Sequence, residues 1–481
     1  MNVTSDAAPQ STGLRWHSYA SPLRLAVVGV YVDFYESIAD VKQEKRRCFT
    51  GAVTFLETQG RVVLNETVAT AGQAEEVNQR LQDLRPDIVV VIPLVAVFGA
   101  LSFACVQRLE CPILIWSLQL DSRVTSDYDL PTLIRNSGTL GATALANTLV
   151  RNGQKFRVIC SAGEAASGSP ALARLFAAAR AAAALRTARI AVIGKPFAEM
   201  SDVILNPVAF QDTLGASFVT VSADELAQRC AGVQDHEVIE ARRQLQHHFA
   251  TEDLAPSEMD RSLRLLVALD SLAVEHQLSA GALNCHGANC IENPAIGVTA
   301  CYAVSLLTSA GCPFSCTGDL CTAVAMHLLK TLSGTSQYVE LDMLDEPGDF
   351  VLLANGGEAD LTLAKGKPKV VGNQNFKGLH GRGASFDFVP QDGVATLLSY
   401  TPSHSSFRGR LIVAAGSVEA IQLDRLKLYH HRFRFSGCSA LRGFERWCEA
   451  GAVHHAALSL GDWTVEILWV ASLLGLEVER V

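Results

Sequence analysis

Carboxylate and imidazole side chains at three places along this chain could perform acid–base chemistry or hold a metal ion. Asp319 precedes the stretch "LCTAVAMHLLKTLSG", Glu340 and Asp342 alternate in "QYVELDMLD", and His454 and His455 are adjacent in "GAVHHAALSL". Such groups act as general acids and bases and ligate divalent cations. An aspartate before a helix is also most often a simple N-cap, and acids that alternate along a strand often share a solvated face. The residues alone leave both interpretations open.

The local patterns predict how these groups are presented. Apolar side chains recur at every fourth position after Asp319, which predicts a helix with one buried stripe and places this carboxylate at its exposed amino end. Side chains alternate along a strand, so Glu340 and Asp342 share a face, and at most one of His454 and His455 points into a given site.

The elements that must position these groups follow two different sequence patterns. Apolar strands alternate with helical stretches up to about residue 345, which predicts two doubly wound, Rossmann-like α/β domains. Short β-rich runs then predict an antiparallel β-barrel or sandwich with closing helices near 440–450 and 462–475. We predict an α/β protein with an N-terminal domain over 1–186, a central domain carrying the acidic residues over 187–346 and a β-barrel-like domain over 347–481.

Several segments carry specific predictions. A long helical region is expected at about 235–278, a helix near 295–310, and strands at "AGALNC", "ASFDFVP" and "AIQLD". The motif G-x-G-x-x-G is absent after the first strand, "RLAVVGVYV", so NAD is not expected as a cofactor.

Composition narrows the possible partners. The formal charge is −9 and no block of Lys and Arg stands out among the 481 residues, so nucleic acid is not an expected partner. No long apolar run predicts a membrane span, and the polar amino end lacks the apolar core of a secretory signal. We therefore expect a cytoplasmic protein whose thirteen cysteines are mostly packed thiols, because no C-x-x-C pair occurs.

Six motifs in order give the chain a resemblance to the L-fucose and L-arabinose isomerase superfamily. They are "GALNCHGANCIENP", "AGCPFSCTGDLCTAVAMHLLKTLSG", "QYVELDMLD", "LLANGGEAD", "DFVPQDGVATLLSY" and "GAVHHAALSLGD". The resemblance implies interconversion of an aldose and a ketose through an enediolate, with Mn²⁺ or Mg²⁺ stabilising the developing charge. It also implies a sugar or sugar derivative as substrate and a trimeric or hexameric homo-oligomer.

The resemblance assigns roles to the three groups of residues. Asp319 matches the aspartate of the family's C-E-x-D turn, Glu340 or Asp342 the following acid, and His455 the late histidine. It thus implies Asp319, Glu340 and Asp342 as catalytic residues, and Glu340, Asp342 and His455 as metal ligands.

Two positions depart from the family pattern. Thr317 stands where the family has a glutamate that can be ligand and proton carrier, and Asn355 stands at the histidine of its "HCG" turn. A threonine hydroxyl is neither an anionic ligand nor a base near neutral pH. A neighbouring acid such as Glu292, Asp342 or Glu358 could substitute for the lost glutamate. Alternatively the chain is an epimerase, a lyase or a non-catalytic sugar-binding protein.

Further side chains are candidates for substrate binding. His286 and Glu292 flank a loop that follows a predicted strand, where open α/β sheets bind ligands, and His380 lies in a glycine-rich loop. The complete predicted set is His286, Glu292, Thr317, Asn355, His380 and His454.

Overall fold

The computed structural model describes residues 13–35, 41–162, 170–197, 199–373, 383–402, 409–423, 425–426 and 428–481. These form two compact units: one is Ser21–Ala183, and the other combines Met1–Ala20 with Ala184–Val481. The division into three domains made from the sequence stays a prediction. None of the helices in the described part of the chain is long and apolar enough to cross a membrane.

The unit Ser21–Ala183 is built on a parallel sheet in the order β2-β1-β3-β4-β5. Its strands are β1 (Arg24–Val30), β2 (Arg61–Val68), β3 (Ile88–Pro93), β4 (Ile113–Gln119) and β5 (Phe156–Ala162). Helices α1 (Val41–Glu57), α2 (Ala71–Leu84), α3 (Gly99–Ala104), α4 (Leu130–Arg135), α5 (Gly138–Arg151) and α6 (Pro170–Arg186) alternate with them. The apolar runs of β1, β3 and β4 are buried almost throughout, as expected for strands covered on both faces.

A second parallel sheet belongs to the other unit and has the order β10-β9-β6-β7. The elements of this region are β6 (Arg189–Ile193), α7 (Pro207–Leu214), β7 (Ser217–Val221), α8 (Ala223–Gly232), α9 (Asp235–Leu245), β8 (Ala250–Glu252), α10 (Pro256–Glu275), β9 (Ala280–Leu283), α11 (Cys301–Ala310), β10 (Phe314–Ser315) and α12 (Leu320–Ser333). The predicted α/β class is confirmed. Strand β8 interrupts the helical region expected at 235–278, and α11 begins at Cys301, later than expected.

Six antiparallel strands close into the predicted barrel. They are β11 (Gln337–Asp345), β12 (Phe350–Ala354), β15 (Gly393–Thr401), β16 (Arg410–Glu419), β17 (His430–Phe435) and β18 (His455–Leu460), ordered β15-β18-β11-β12-β17-β16 with β15 pairing β16. Strand β11, which carries Glu340, is a barrel strand although the predicted domain boundary follows it. The sequence also predicted barrel strands that the structure places otherwise. Strand β14 (Ala384–Asp387) pairs with β13 (Lys369–Gly372), which pairs with β8, and "AIQLD" forms no strand over its described residues 420–423.

The remaining elements cover the barrel and its neighbours. Helix α13 (Ala440–Glu449) lies against β11 and β17, and α14 (Thr464–Leu474) lies against β16, which pairs in parallel with β19 (Glu477–Arg480). Helix α12 packs against β9 of the parallel sheet and against β15 and β18 of the barrel. A helix enclosed in this way is buried nearly all round, so the single buried stripe predicted for α12 was too narrow.

Candidate active site

The site lies at the carboxyl edge of the second parallel sheet. Asp202 lies in the segment after β6, His286 follows β9, and Asp319 follows β10. Strands β6 and β9 are neighbours in this sheet, and the chain leads from β6 to β7 on one side and from β9 to β10 on the other. Ligands of open α/β sheets bind where the connections diverge in this way. Three segments that are distant in the sequence therefore converge.

Asp319 is the N-cap of α12 and is also a partner of His455. Its Oδ1 accepts a hydrogen bond from the backbone N–H of Thr322 at 2.9 Å, and its Oδ2 lies 2.8 Å from Nδ1 of His455. The sequence placed this carboxylate at an exposed helix end, but it is 0% exposed because α12 begins against the barrel. The capping and functional interpretations therefore apply to the same side chain.

His455 and Glu340 face each other across two paired barrel strands. Register aligns Glu340 of β11 with His455 of β18, and Oε1 of Glu340 lies 3.4 Å from Nε2 of His455. Burial lowers the pKa of His455, but its hydrogen bonds to Asp319 and Glu340 outweigh burial and raise that pKa to about 9. The hydrogen bond from His455 lowers the pKa of Glu340 in turn. The imidazole is held between two carboxylates.

His454 points to a different carboxylate. Its Nδ1 lies 2.6 Å from Oδ2 of Asp202, and its backbone N–H donates to the same oxygen at 3.0 Å. Burial raises the pKa of Asp202, but the two hydrogen bonds from His454 outweigh it and lower that pKa overall. The rings of His454 and His455 are 3.7 Å apart, so this pair borders the buried one while remaining partly exposed. Only His455 enters the buried centre, consistent with the expected alternation.

Thr317 adopts a strained conformation beside this centre. Its φ is 53°, in the left-handed region that a β-branched residue rarely adopts. Gly318 follows with φ 77°, and a Cβ at this position would lie 3.1 Å from the Cα of Pro196. The Thr317 hydroxyl donates to the carbonyl of Cys316 at 2.8 Å. The hydroxyl of Thr317 is thus bound to its own backbone.

Asn355 stabilises the turn that follows β12. Its Nδ2 donates to the carbonyls of Tyr338 and Glu358 at 2.8 and 2.7 Å, and its Oδ1 accepts from the N–H of Gly357 at 2.9 Å. These backbone bonds give it a positioning role, and its predicted contact with a substrate stays a prediction.

Glu358 ends the same turn and is buried at the site. Its carboxyl lies at the thiol of Cys316, which hydrogen-bonds to the thiol of Cys285. Burial raises the pKa of Glu358 well above its usual value. Its Oε1 has no hydrogen-bond partner among the residues that the structure describes. A buried carboxyl in this state favours its protonated form.

The other predicted residues are exposed, partly exposed or outside the described residues. Asp342 is exposed and lies next to an irregularity in the β11–β12 pairing. The partial burial of its carboxyl raises its pKa, and the charge of Glu340 adds to this effect. Glu292 is exposed, whereas His286 lies 5.2 Å from the ring of Phe197 and burial lowers its pKa. His380 lies outside the described residues.

Asp202 is the site residue that sequence reasoning missed. It is separated from His454 by 252 positions, in a stretch whose acids show no period or motif. No signal in one sequence joins two such residues. The sequence offers Glu358 only as one of several possible substitutes, because its burial depends on the turn that Asn355 holds.

The donor atoms at the site meet part of what a divalent cation requires. Within the described ranges no group of three His, Cys, Asp or Glu side chains is placed to hold an ion. Oε1 of Glu340 and Nε2 of His455 do offer an oxygen and a nitrogen at 3.4 Å, and a backing carboxylate at Nδ1 is the usual partner of a metal-bound histidine. The centre fits two protein ligands for a cation such as Mn²⁺, which also accepts water and substrate oxygens.

Comparison with known proteins gives one informative relative. No family model matches the chain. A protein of Alkalicoccus urumqiensis named sulfoquinovose isomerase is 23% identical over 423 residues, which cover 85% of this chain and 89% of the relative. The similarity spans both units and the barrel, and it supports an isomerase-like function for the chain.

Proposed function

We propose that this protein is an aldose–ketose isomerase that acts on a sugar by proton transfer through an enediolate. The observation that carries the proposal is the convergence of Asp319, Glu340 and His455, which come from a helix N-terminus and two barrel strands. The name of the distant relative supports the same reaction class. The homo-oligomeric state expected from the family resemblance stays a prediction.

A divalent metal, Mn²⁺ or Mg²⁺, is part of the proposal. Glu340 Oε1 and His455 Nε2 would hold it, and Asp319 would orient the imidazole through Nδ1. When bound, such an ion supplies Lewis-acid polarisation of a carbonyl and neutralises developing negative charge. Asp342 is proposed only as a reserve ligand, since it is exposed.

The protein's own side chains then have distinct tasks. Glu340 is 40% exposed, so a bound sugar can reach its carboxylate, which takes the proton from carbon and returns it to the neighbouring carbon. The His454–Asp202 pair presents a fixed imidazole beside that centre, where it can hydrogen-bond a sugar hydroxyl. Buried Asp319 excludes water from Nδ1 of His455 and keeps the ring in one orientation.

The proposal is tested on protein stripped with a chelator and then supplied with Mn²⁺ or Mg²⁺. Aldoses, ketoses and sugar acids are incubated with it in D₂O and followed by NMR. We expect a ketose to form from an aldose, with deuterium at the carbon that gains a proton, only when metal is present. Glu340→Gln should abolish turnover, whereas Glu346→Gln, an exposed acid following the same strand, should not.

The alternatives give different spectra. The hydroxyl of Thr317 is bound to the carbonyl of Cys316, so the sequence-derived alternatives of altered chemistry and loss of the acid are both tested. An epimerase would incorporate deuterium without moving the carbonyl, and a lyase would release two fragments. Saturable sugar binding without exchange would identify a non-catalytic binding protein and refute the proposal.

A further inference from the structure

Aldose–ketose isomerisation moves two protons, and the site described so far accounts for one. One proton passes between two carbons, and a second passes between the two oxygens on those carbons. Asp319 cannot carry the second, because its two oxygens bind Thr322 and His455. Glu340 faces His455 and is already assigned to the carbon-bound proton. A further acid is needed for the oxygens.

Glu358 has the features of that acid. It is 5% exposed, and its Oε1 has no hydrogen-bond partner within the described chain. A buried carboxyl oxygen left without a partner costs free energy, so its retention calls for an explanation. The charges of His455 and Glu340 act on this carboxyl, so it lies beside the centre where a bound substrate would supply the missing partner.

The backbone of Glu358 is fixed by two side chains of the barrel region. Its carbonyl accepts from Nδ2 of Asn355 at 2.7 Å and from Nε2 of Gln337 at 3.1 Å. Gln337 begins β11, the strand that also carries Glu340, so the backbone of Glu358 is bound to the same strand that positions Glu340. Such preorganisation is what a group acting on a developing charge requires.

The surroundings of this carboxyl favour its protonated form. The neutral thiol of Cys316 is its hydrogen-bonding neighbour, and the charges of His455 and Glu340 act on it through space. Burial dominates and favours the uncharged form. Two carboxyls whose environments favour opposite protonation states are the usual arrangement of an acid and a base.

We propose that Glu358 is the catalytic acid that shuttles the hydroxyl proton of the sugar, an inference that rests on the proposed isomerase function. As Glu340 takes the proton from C2, the C1–C2 double bond forms and the O–H bond of Glu358 breaks to protonate O1. The proton of the C2 hydroxyl then passes to Glu358 while C2=O2 forms, and Glu340 returns its proton to C1. Both carboxyls end as they began, and no oxidant or reductant is consumed. Glu358 thereby takes over the acid function that Thr317 cannot supply.

The test replaces Glu358 by Gln, which keeps the shape and neutrality of the resting side chain but carries no transferable proton. We expect kcat to fall by about 10²–10⁴-fold, the usual contribution of a general acid, with the affinity for Mn²⁺ and the thermal midpoint unchanged. Glu358→Asp keeps an acid and should retain more kcat than Glu358→Gln. Glu346→Gln is the matched control, since Glu346 is an exposed acid that follows β11, and should behave like the wild type.

Infrared spectroscopy gives a second measurement that does not depend on turnover. The wild type should show a protonated carboxyl band near neutral pH that Glu358→Gln lacks. The inference is overturned if Glu358→Gln keeps kcat within threefold of wild type, if Gln and Asp lose kcat equally together with stability, or if the band is missing. An inactive wild type refutes the isomerase function itself, and this inference with it. Active wild type with active Glu358→Gln refutes the inference alone.

Discussion

Replacing Asp319 by Ala or by Asn should separate its two roles. Both variants lose the acceptor for Nδ1 of His455, but only the alanine variant also loses the helix cap. Alanine removes both the helix cap and the acceptor for Nδ1 of His455. Asparagine keeps an oxygen that can accept from the N–H of Thr322 but places an amide N–H against the imidazole. The second variant therefore preserves the cap and reverses the hydrogen bond that orients the histidine.

The expected magnitudes follow from the contacts. Loss of an aspartate N-cap costs about 1 kcal/mol, and leaving the N–H of His455 buried without an acceptor costs about 1–3 kcal/mol. We expect Asp319→Ala to lower the free energy of unfolding by about 2–4 kcal/mol and Asp319→Asn by less than about 1.5 kcal/mol. Both should weaken Mn²⁺ binding by about 10–100-fold, the usual effect of removing the partner of a metal-bound histidine.

Urea unfolding and titration with Mn²⁺ measure the two effects separately. Asp129→Ala is the control, since Asp129 caps an exposed helix end in the other unit through the N–H of Thr132 and should leave Mn²⁺ affinity unchanged. Equal destabilisation by Ala and Asn would show that the cap is not what Asp319 contributes to folding. Unchanged Mn²⁺ affinity in both variants would refute the assignment of His455 as a ligand oriented by Asp319.

Three further predictions concern the stability of the protein and the role of position 317. Burial lowers the pKa of His327 from 6.5 to about 4, so the unfolded chain gains a proton before the folded protein as the pH falls. The free energy of unfolding therefore keeps its full value above pH 6.5 and falls by up to about 3 kcal/mol toward pH 4. His327→Leu should remove this pH dependence from the urea midpoints. Lys330→Met should cost about 3–5 kcal/mol in the same assay, because Asp360, whose Oδ2 lies 2.7 Å from the Lys330 ammonium, would stay buried without its cation; a loss below about 1 kcal/mol would contradict this. Thr317→Glu should tighten Mn²⁺ binding in a calorimetric titration, and an unchanged affinity would place residue 317 outside the metal centre.

Local patterns were sufficient for most of the architecture. Apolar runs that alternate with helical stretches predicted the α/β part, including the first strand, β1. Apolar residues at every fourth position after Asp319 predicted the start of α12. These features depend on neighbours in the chain, which the sequence displays directly. Strand β8 was not predicted, because it forms by pairing with β13, more than a hundred residues away. Pairing of that kind overrides local helix propensity and leaves no local pattern.

The site was predictable only to the extent that its residues belong to motifs. Asp319, Glu340 and His455 occur in three motifs of the resemblance, and the barrel register brings Glu340 opposite His455. The burial of Asp319 was not predictable, since it depends on α12 starting against the barrel. Asp202 had no motif, and its role follows only from the path of the segment after β6.

If Glu358 is the catalytic acid, the threonine at position 317 does not by itself indicate a lost function. A catalytic acid must occupy a position in space relative to the substrate, and any element that reaches that position can supply it. Cys316, the residue before Thr317, contacts the carboxyl of Glu358, so the turn after β12 delivers an acid to the place that residue 317 borders. Sequence order separates the two positions by forty-one residues, whereas packing makes them neighbours. If the acid has moved in this way, Thr317 is free to adopt its left-handed turn with its hydroxyl bound to its own backbone, because no charged group needs to project from it.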